Sequence, residues 1–301
     1  AYYWAPTYEQ WQHKTNPKYP SPEKVRDEIV QTMKGIYTAT FCPALSLWLA
    51  SKGLYSKAYC SPNPFTDEEH GGAWGVAAQF CAIVLLSDFW EWGYHRLGHV
   101  YKQFWEVHKH HHVFFNPSPF AVIADEYVDQ FFRALPLLLF PMVAPLNMDV
   151  MFGTYGAFFY AYGVYLHWGY ESTWLDAHNP IMNTAFQHYC HHAKAILNKP
   201  YHCGFFFKIW DQIMDQVSGN GIYPRDRCFC AKCERAKGKR SRELWEQVEV
   251  PDYSVLLTKN FWMREGVFTG TSASDTNEVL SAEEKYFANA KAADGEEKKE
   301  Q

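Results

Sequence analysis

The stretch Asp88–His112, DFWEWGYHRLGHVYKQFWEVHKHHH, carries six of the chain's fourteen histidines: His95, His99, His108, His110, His111 and His112. On a helix, residues four apart are neighbours on one face, about 6 Å along the axis at roughly 1.5 Å per residue. His95 and His99 therefore point the same way, and the same period groups His108 with His111 and His112. Imidazole is neutral near pH 7 and is the commonest protein metal ligand. A second cluster, HYCHH, repeats the H-x-x-H-H spacing with His188, His191 and His192. Two such triplets and an H-x-x-x-H predict a metal site. A histidine-rich buffering tract would be low in complexity, with Gly, Ser or Asp between the histidines. Here Trp, Tyr, Phe and Leu surround them, which suits ligands held by a packed scaffold.

Composition narrows the class. A net charge of -5 leaves no basic footprint for nucleic acid. Aromatic residues make up 18% of the 301, including 12 Trp and 20 Tyr, as expected of a protein with much lipid-facing or interfacial surface. The mean hydropathy of -0.36 reads as soluble, but polar ends and the histidine segments pull it down. The chain begins with Ala1 rather than Met, and no signal-peptide pattern is visible. Eight scattered cysteines do not form a disulfide framework. Cys228, Cys230 and Cys233 are the one tight group. They could hold zinc or form a redox pair, but with no fourth ligand at zinc spacing the favoured reading is reduced cytosolic thiols.

Four apolar segments, Ile36–Ala50, Gly72–Leu86, Ala134–Leu146 and Val150–Leu166, lie near the lower limit of the ~17–25 residues needed to cross a bilayer. Each alone could be a core helix; four, with Trp and Tyr flanking them and Gly and Pro inside, favour membrane spans. Two crossings separate the two histidine regions, so both would face one compartment. Lys and Arg concentrate on that side, from Lys14 to Arg26 and again from Lys194 to Arg240, which makes it cytosolic by the positive-inside rule. The expected organisation is an N-terminal cytosolic segment (1–32), a membrane domain (33–262) and a disordered charged tail (263–301). Lys298 and Lys299 near the end resemble a dilysine retrieval signal of the endoplasmic reticulum.

Eight or more histidines exceed the four ligands of one zinc, so two metals are expected. Histidine ligation with open positions suits iron and oxygen chemistry. A dizinc hydrolase would want bridging carboxylates, and Glu91, Glu106, Asp125 and Glu126 are close enough in sequence to leave that open.

The segments HRLGH (95–99), HKHHH (108–112) and HYCHH (188–192) resemble the three histidine boxes of the fatty acid hydroxylase/sterol desaturase superfamily of membrane di-iron oxidases, above all its sterol C-5 desaturase branch. Asp88, the run Asn116–Phe120 and Phe207–Ile213 resemble further landmarks, and the likeness covers roughly residues 25 to 217. The resemblance implies an all-α membrane protein, about four membrane helices with a cytosolic helical cap. It implies that His95, His99, His108, His111, His112, His188, His191 and His192 bind two Fe ions, with His167 as a ninth ligand. His110 falls off the matching pattern and reads as a neighbour; His13 and His70 read as surface residues. Glu126 stands where many members carry His-Pro across positions 126 and 127, so it is a candidate for tuning a ligand or touching substrate, as are Asp88, His178 and His202. The implied chemistry is desaturation or hydroxylation of a sterol or related lipid with O2 as co-substrate. Electrons would come from cytochrome b5 and its NADH reductase, in the endoplasmic reticulum membrane. A squalene epoxidase of the alternative type, a sterol C-4 methyl oxidase, a fatty-acid hydroxylase and a non-enzymatic membrane metal-binding protein are the competing readings.

Overall fold

The structure, a computed structural model, describes residues 2–195, 197–214 and 228–263. The chain divides into two compact units, Ala1–Val255 and Leu256–Gln301.

The first unit is built from helices. After the short α1 (Tyr8–Trp11), α2 runs from Pro22 to Ser51. Ser21 starts α2 by accepting the Lys24 amide, and Pro22 occupies the first turn, where its missing N–H costs nothing. α2 continues through Pro43, which interrupts its apolar run. Gly35 lets α2 lie against the backbone at Ile123, where a Cβ would collide with the carbonyl oxygen. A two-residue strand β1 (Ala58–Tyr59) pairs in parallel with β2 (Leu146–Asn147). Between them α3 spans Gly72–Val100, starting at Gly71 and Gly72 with φ of 85° and 54°, values that favour glycine. At about 1.5 Å per residue it exceeds the ~30 Å bilayer core. Among the described residues, α3 is the one helix both long and apolar enough to cross a membrane.

The chain then forms α4 (Lys102–His112), α5 (Tyr127–Ala134) and α6 (Pro136–Val143). Residues 134–146, expected as a span, hold only the eight-residue α6 and β2. The prolines explain this: Pro136 opens α6, and Pro145 lies beyond its end, where helix cannot continue. The next apolar segment is an unbroken helical rod: α7 (Met148–Gly153), a π-helical stretch (Thr154–Phe159) and α8 (Tyr160–His167). Ile83, Met148, Met151, Phe159 and Phe206 centre the core among these helices. The rest of the unit comprises α9 (Ala185–Lys194), α10 (Ile209–Met214), α11 (Ala231–Ala236) and α12 (Arg242–Trp245). Trp11, Tyr19 and Tyr170 form a separate aromatic core. Lys14, which entered the charge count above, is wholly buried there, with Nζ 4.8 Å from the Tyr19 ring. Burial and then Arg240 lower its pKa to about 7.

In the second unit, the described residues end in α13 (Lys259–Trp262), whose Trp262 indole donates to the Leu256 carbonyl at 2.7 Å. The charged tail expected over 263–301 lies outside the described residues except for Met263.

Candidate metal centre

Tyr101 alone separates α3 from α4, and its extended backbone (φ -110°, ψ 128°) turns the chain back so that the two helices pack on one another. Gly98 permits the close approach: a Cβ there would stand 3.0 Å from Cγ and Cδ2 of His108. This sets His95 and His99 of α3 against His108 and His112 of α4. The C-terminal turn of α8 brings His167, and α9 brings His188, His191 and His192.

The nine histidines expected as ligands gather into two groups. His95, His99, His108, His112 and His191 form one; His111, His167, His188 and His192 form the other. Within each group the ligand nitrogens lie within 4.8 Å of one another. The sequence reading placed His108, His111 and His112 together, and the structure divides them. On α4, His108 and His112 face the first group while His111 faces the second. On α9 the assignment reverses: His188 and His192 face the second group and His191 the first. The reason is helical geometry, since residues four apart share a face and the third position is rotated away. Each H-x-x-H-H segment thus gives a pair to one group and a single ring to the other. The two groups share a wall, with His112 and His192 ring centroids 5.2 Å apart.

Hydrogen bonds fix the orientation of four rings, and a close carboxylate stands behind a fifth. The acceptors for Nδ1 are the Cys203 carbonyl for His95 (3.1 Å) and the Asp129 carboxylate for His108 (2.9 Å). They are the Gly163 carbonyl for His167 (2.8 Å) and the Tyr201 carbonyl for His191 (2.6 Å), while the Asp125 carboxylate lies 3.0 Å from His111 Nδ1. Carbonyls and carboxylates only accept, so each of these Nδ1 atoms carries the proton and each Nε2 presents its lone pair. Nε2 atoms converge within each group. His108 Nε2 and His191 Nε2 each lie 3.1 Å from His112 Nε2. In the second group the Nε2 atoms of His167, His188 and His192 form a triangle with edges of 2.9, 3.2 and 3.3 Å.

Ring protons lie in the ring planes and cannot serve every edge of such a triangle, whereas a cation can. A triangle of that size has its centre ~1.8 Å from each nitrogen, so an ion ~1 Å off its plane sits ~2.1 Å from all three, the usual metal–imidazole distance. Burial, and then the neighbouring imidazoles, hold His112, His188 and His192 well below the ordinary histidine pKa, keeping them neutral. Neutral, nitrogen-only, preoriented donors fit borderline metals such as iron and zinc.

Two carboxylates orient the rings, and both are wholly buried. Asp129 holds His108 and went unnoticed in the sequence, where nothing local marks it. Asp125 also receives Arg133 Nη1 at 3.3 Å, and Arg133 in turn pairs with Glu91. Burial opposes ionisation of Asp125, yet Arg133 and His111 hold its pKa below the usual carboxylate range. Neither aspartate bridges the two groups: each carries one ring from behind.

The remaining candidates lie elsewhere. Glu126 stands at the residue before α5 and its side chain accepts the Gln31 amide at 3.1 Å, outside both groups. Asp88 accepts the Phe206 amide (2.6 Å) and the Trp210 indole (2.7 Å), clasping the segment after α9. Asp211 does similar work for Trp92 and the Gly204 amide, both at 2.9 Å. His202 is buried against the Tyr201 ring, 4.1 Å between centroids. His178 lies beside Cys233, with 3.2 Å between Nε2 and Sγ. His110 belongs to neither group, while His13 and His70 are half-buried, each beside a charged residue.

Residues 80–216, which include all nine histidines, match the fatty acid hydroxylase family. Across this stretch the chain is similar to that family. It is 30% identical over 226 residues to the Delta(7)-sterol 5(6)-desaturase ERG3A of Gibberella zeae, covering 73% of this chain and 58% of the relative. It is 29% identical over 242 residues to the corresponding erg3A protein of Aspergillus fumigatus, covering 78% and 62%. To lathosterol oxidase of Mus musculus it is 30% identical over 193 residues, covering 63% and 60%. The likeness to the sterol C-5 desaturase branch read from the histidine boxes is therefore shared by the whole matched region. The chain spans about 60% of the length of these relatives. No solved structure matches it.

Proposed function

We propose that this chain is a membrane oxidoreductase that uses two irons and O2 to oxidise a sterol, by desaturation at the position its relatives' names describe. The observation that carries the reading is the pair of histidine groups whose Nε2 atoms converge, with Nδ1 hydrogen-bonded from behind on His95, His108, His167 and His191. With Fe(II) bound in each group, the centre would supply reduction of O2 and removal of hydrogen from an unactivated C–H bond. His95, His99, His108, His112 and His191 would hold one ion, and His111, His167, His188 and His192 the other. Asp129 and Asp125 keep His108 and His111 in position and in the correct tautomer. Trp105, buried with its ring 5.2 Å from His99 and 5.6 Å from His112, shields the first group from water.

A cavity of about 60 Å³ lies between α3, α5 and the π-helical stretch, lined by Glu91, Gln130 and Arg133 on its polar side and Val122, Phe159 and Phe205 on its apolar side. That is well below the roughly 300–1,000 Å³ of ligand pockets, so a ring system enters only as these side chains part. The membrane reading is supported by α3 and by large apolar side chains facing outward along α2 and α3, including Met33, Tyr37, Trp48, Leu85, Leu86 and Phe89. In this proposal residues 33–262 form the oxidase domain with four membrane segments and a cytosolic cap, flanked by 1–32 and 263–301. α2 crosses the boundary at 33, so the N-terminal segment is continuous with the first span. The cytosolic orientation rests on the distribution of Lys and Arg, the endoplasmic reticulum on the family resemblance and the Lys298–Lys299 pair, and electron supply from cytochrome b5 on the resemblance alone.

The test is a sterol profile of a fungal host lacking its own sterol C-5 desaturase, expressing this chain or its His188→Ala variant under 18O2. A new ring double bond without retained label, absent in the variant, is the expected result. Labelled sterol alcohol, hydroxy fatty acid or squalene epoxide would replace desaturation with oxygen insertion. Identical profiles would overturn the enzymatic reading in favour of a metal-binding protein.

A further inference from the structure

Cys228, Cys230 and Cys233 lacked a fourth partner in the sequence. The fold supplies one from fifty residues upstream. His178 Nε2 lies 3.2 Å from Cys233 Sγ and 3.7 Å from Cys230 Sγ. The three sulfurs and this nitrogen are all within 4.8 Å of one another. The cysteines are buried and none is in a disulfide. A tetrahedral zinc with Zn–S about 2.3 Å and Zn–N about 2.05 Å has S–N edges of ~3.6 Å, and the two observed distances bracket that value. The Cys230 amide points at Cys228 Sγ, 3.5 Å away, as a donor to a thiolate. We infer that Cys228, Cys230, Cys233 and His178 form a structural zinc site of the Cys3His type, separate from the histidine groups.

The site has a clear mechanical position. Cys230 precedes α11 and Cys233 lies within it, while His178 sits in the segment leading into α9. The same two segments are joined by Lys232 and Asp176 (2.5 Å), and Asp176 also accepts the His178 amide at 2.8 Å. Phe186 and Cys190, on the side of α9 away from its histidines, pack directly against the cysteines. Zinc here would brace α9 from behind, and so hold His188, His191 and His192 toward the two groups. Four protein ligands close the coordination shell, which makes the site structural rather than catalytic. Binding would release the thiol protons to solvent.

The experiment uses the full chain purified in detergent without chelator. Zinc-edge X-ray absorption is expected to show sulfur at about 2.3 Å. Neither histidine group contains a thiolate, so sulfur around zinc can come from no other metal cluster among the described residues. The Cys230→Ser/Cys233→Ser double variant is expected to lose one zinc per chain. Wild-type thiols at 228, 230 and 233 should resist alkylation until a zinc chelator is added. Zinc absent from the wild-type protein, zinc bound by nitrogen and oxygen alone, or a disulfide among these cysteines would each overturn the inference. The wild-type spectrum decides the matter even if the double variant fails to fold.

Discussion

Asp129 offers the sharpest test of the metal centre, because it touches one ligand and its two common substitutions remove different things. In Asp129→Asn the amide oxygen can still accept from His108 Nδ1, so the ring keeps its orientation and loses only the charge behind it. In Asp129→Ala the acceptor goes too, leaving a buried N–H without a partner and a ring free to rotate away. Partners of this kind contribute about 10–100-fold to metal affinity. The bond is charge-assisted, 2.9 Å long and wholly buried, so no solvent replaces it. Asp129→Asn should therefore weaken the first group's ion about tenfold, ~1.4 kcal/mol, and Asp129→Ala about a hundredfold, ~2.8 kcal/mol. Anaerobic titration of Fe(II) against a chromophoric chelator measures both. The order is as informative as the size. Equal affinity in wild type and Asp129→Ala would refute the claim that this carboxylate holds a ligand.

Three further outcomes follow from other parts of the structure. Gly98→Ala forces a Cβ to within 3.0 Å of His108 and should empty the first group while helical content by circular dichroism stays at the wild-type level; full metal occupancy would show that α4 can shift. Glu126→His should alter substrate preference and leave iron content unchanged, since Glu126 bonds to Gln31 and reaches neither group; loss of iron would make it a ligand partner. Glu28, in the first turns of α2, is buried and accepts the Ser118 amide at 2.9 Å, and burial raises its pKa to about 8. The folded state then holds a proton that the unfolded chain releases near the ordinary value of 4.5, so wild-type stability falls as pH rises from about 4.5 to 8. Glu28→Gln removes that loss, and the difference in melting temperature between variant and wild type should widen in its favour across that window. A pH-independent difference would place the proton elsewhere.

What the sequence made legible was the part governed by local period. The spacing of the histidines named eight rings, the family resemblance added His167, and helical geometry alone brought His95 to His99 and His188 to His192. The partition between two groups was beyond it, because His111 and His191 are sorted by how α4 and α9 face each other, a long-range property. Asp129 was hidden for the same reason: an aspartate in an ordinary helix says nothing until the fold delivers His108 to it. His178 was misplaced among the candidates for the oxidase centre because a histidine near the third box has two neighbourhoods available, and only packing chooses the cysteines. The apolar segments, expected as membrane spans, form long helices where prolines are few. At residues 134–146 three prolines overruled hydropathy, cutting the segment to one short helix and a strand.

The exchange of ligands between α4 and α9 constrains how this centre can be assembled. Because each helix serves both groups, neither ion can be bound by one helix alone. The first group needs α3, α4 and α9, and the second needs α4, α8 and α9. Shifting α4 by one residue would rotate its ring set by about 100° and disorganise both groups together. With an ion in each group, as proposed, loading of the two would be coupled through α4 and α9. Helix α3 adds a second coupling, since the rod that is apolar enough to lie in a membrane ends in His95 and His99. The position of the membrane segment and the position of the first ion are one geometric fact. Under the proposed function, a lipid lying along α3 would be held at a fixed depth relative to the metal, which is what oxidation at one carbon of a long apolar molecule requires.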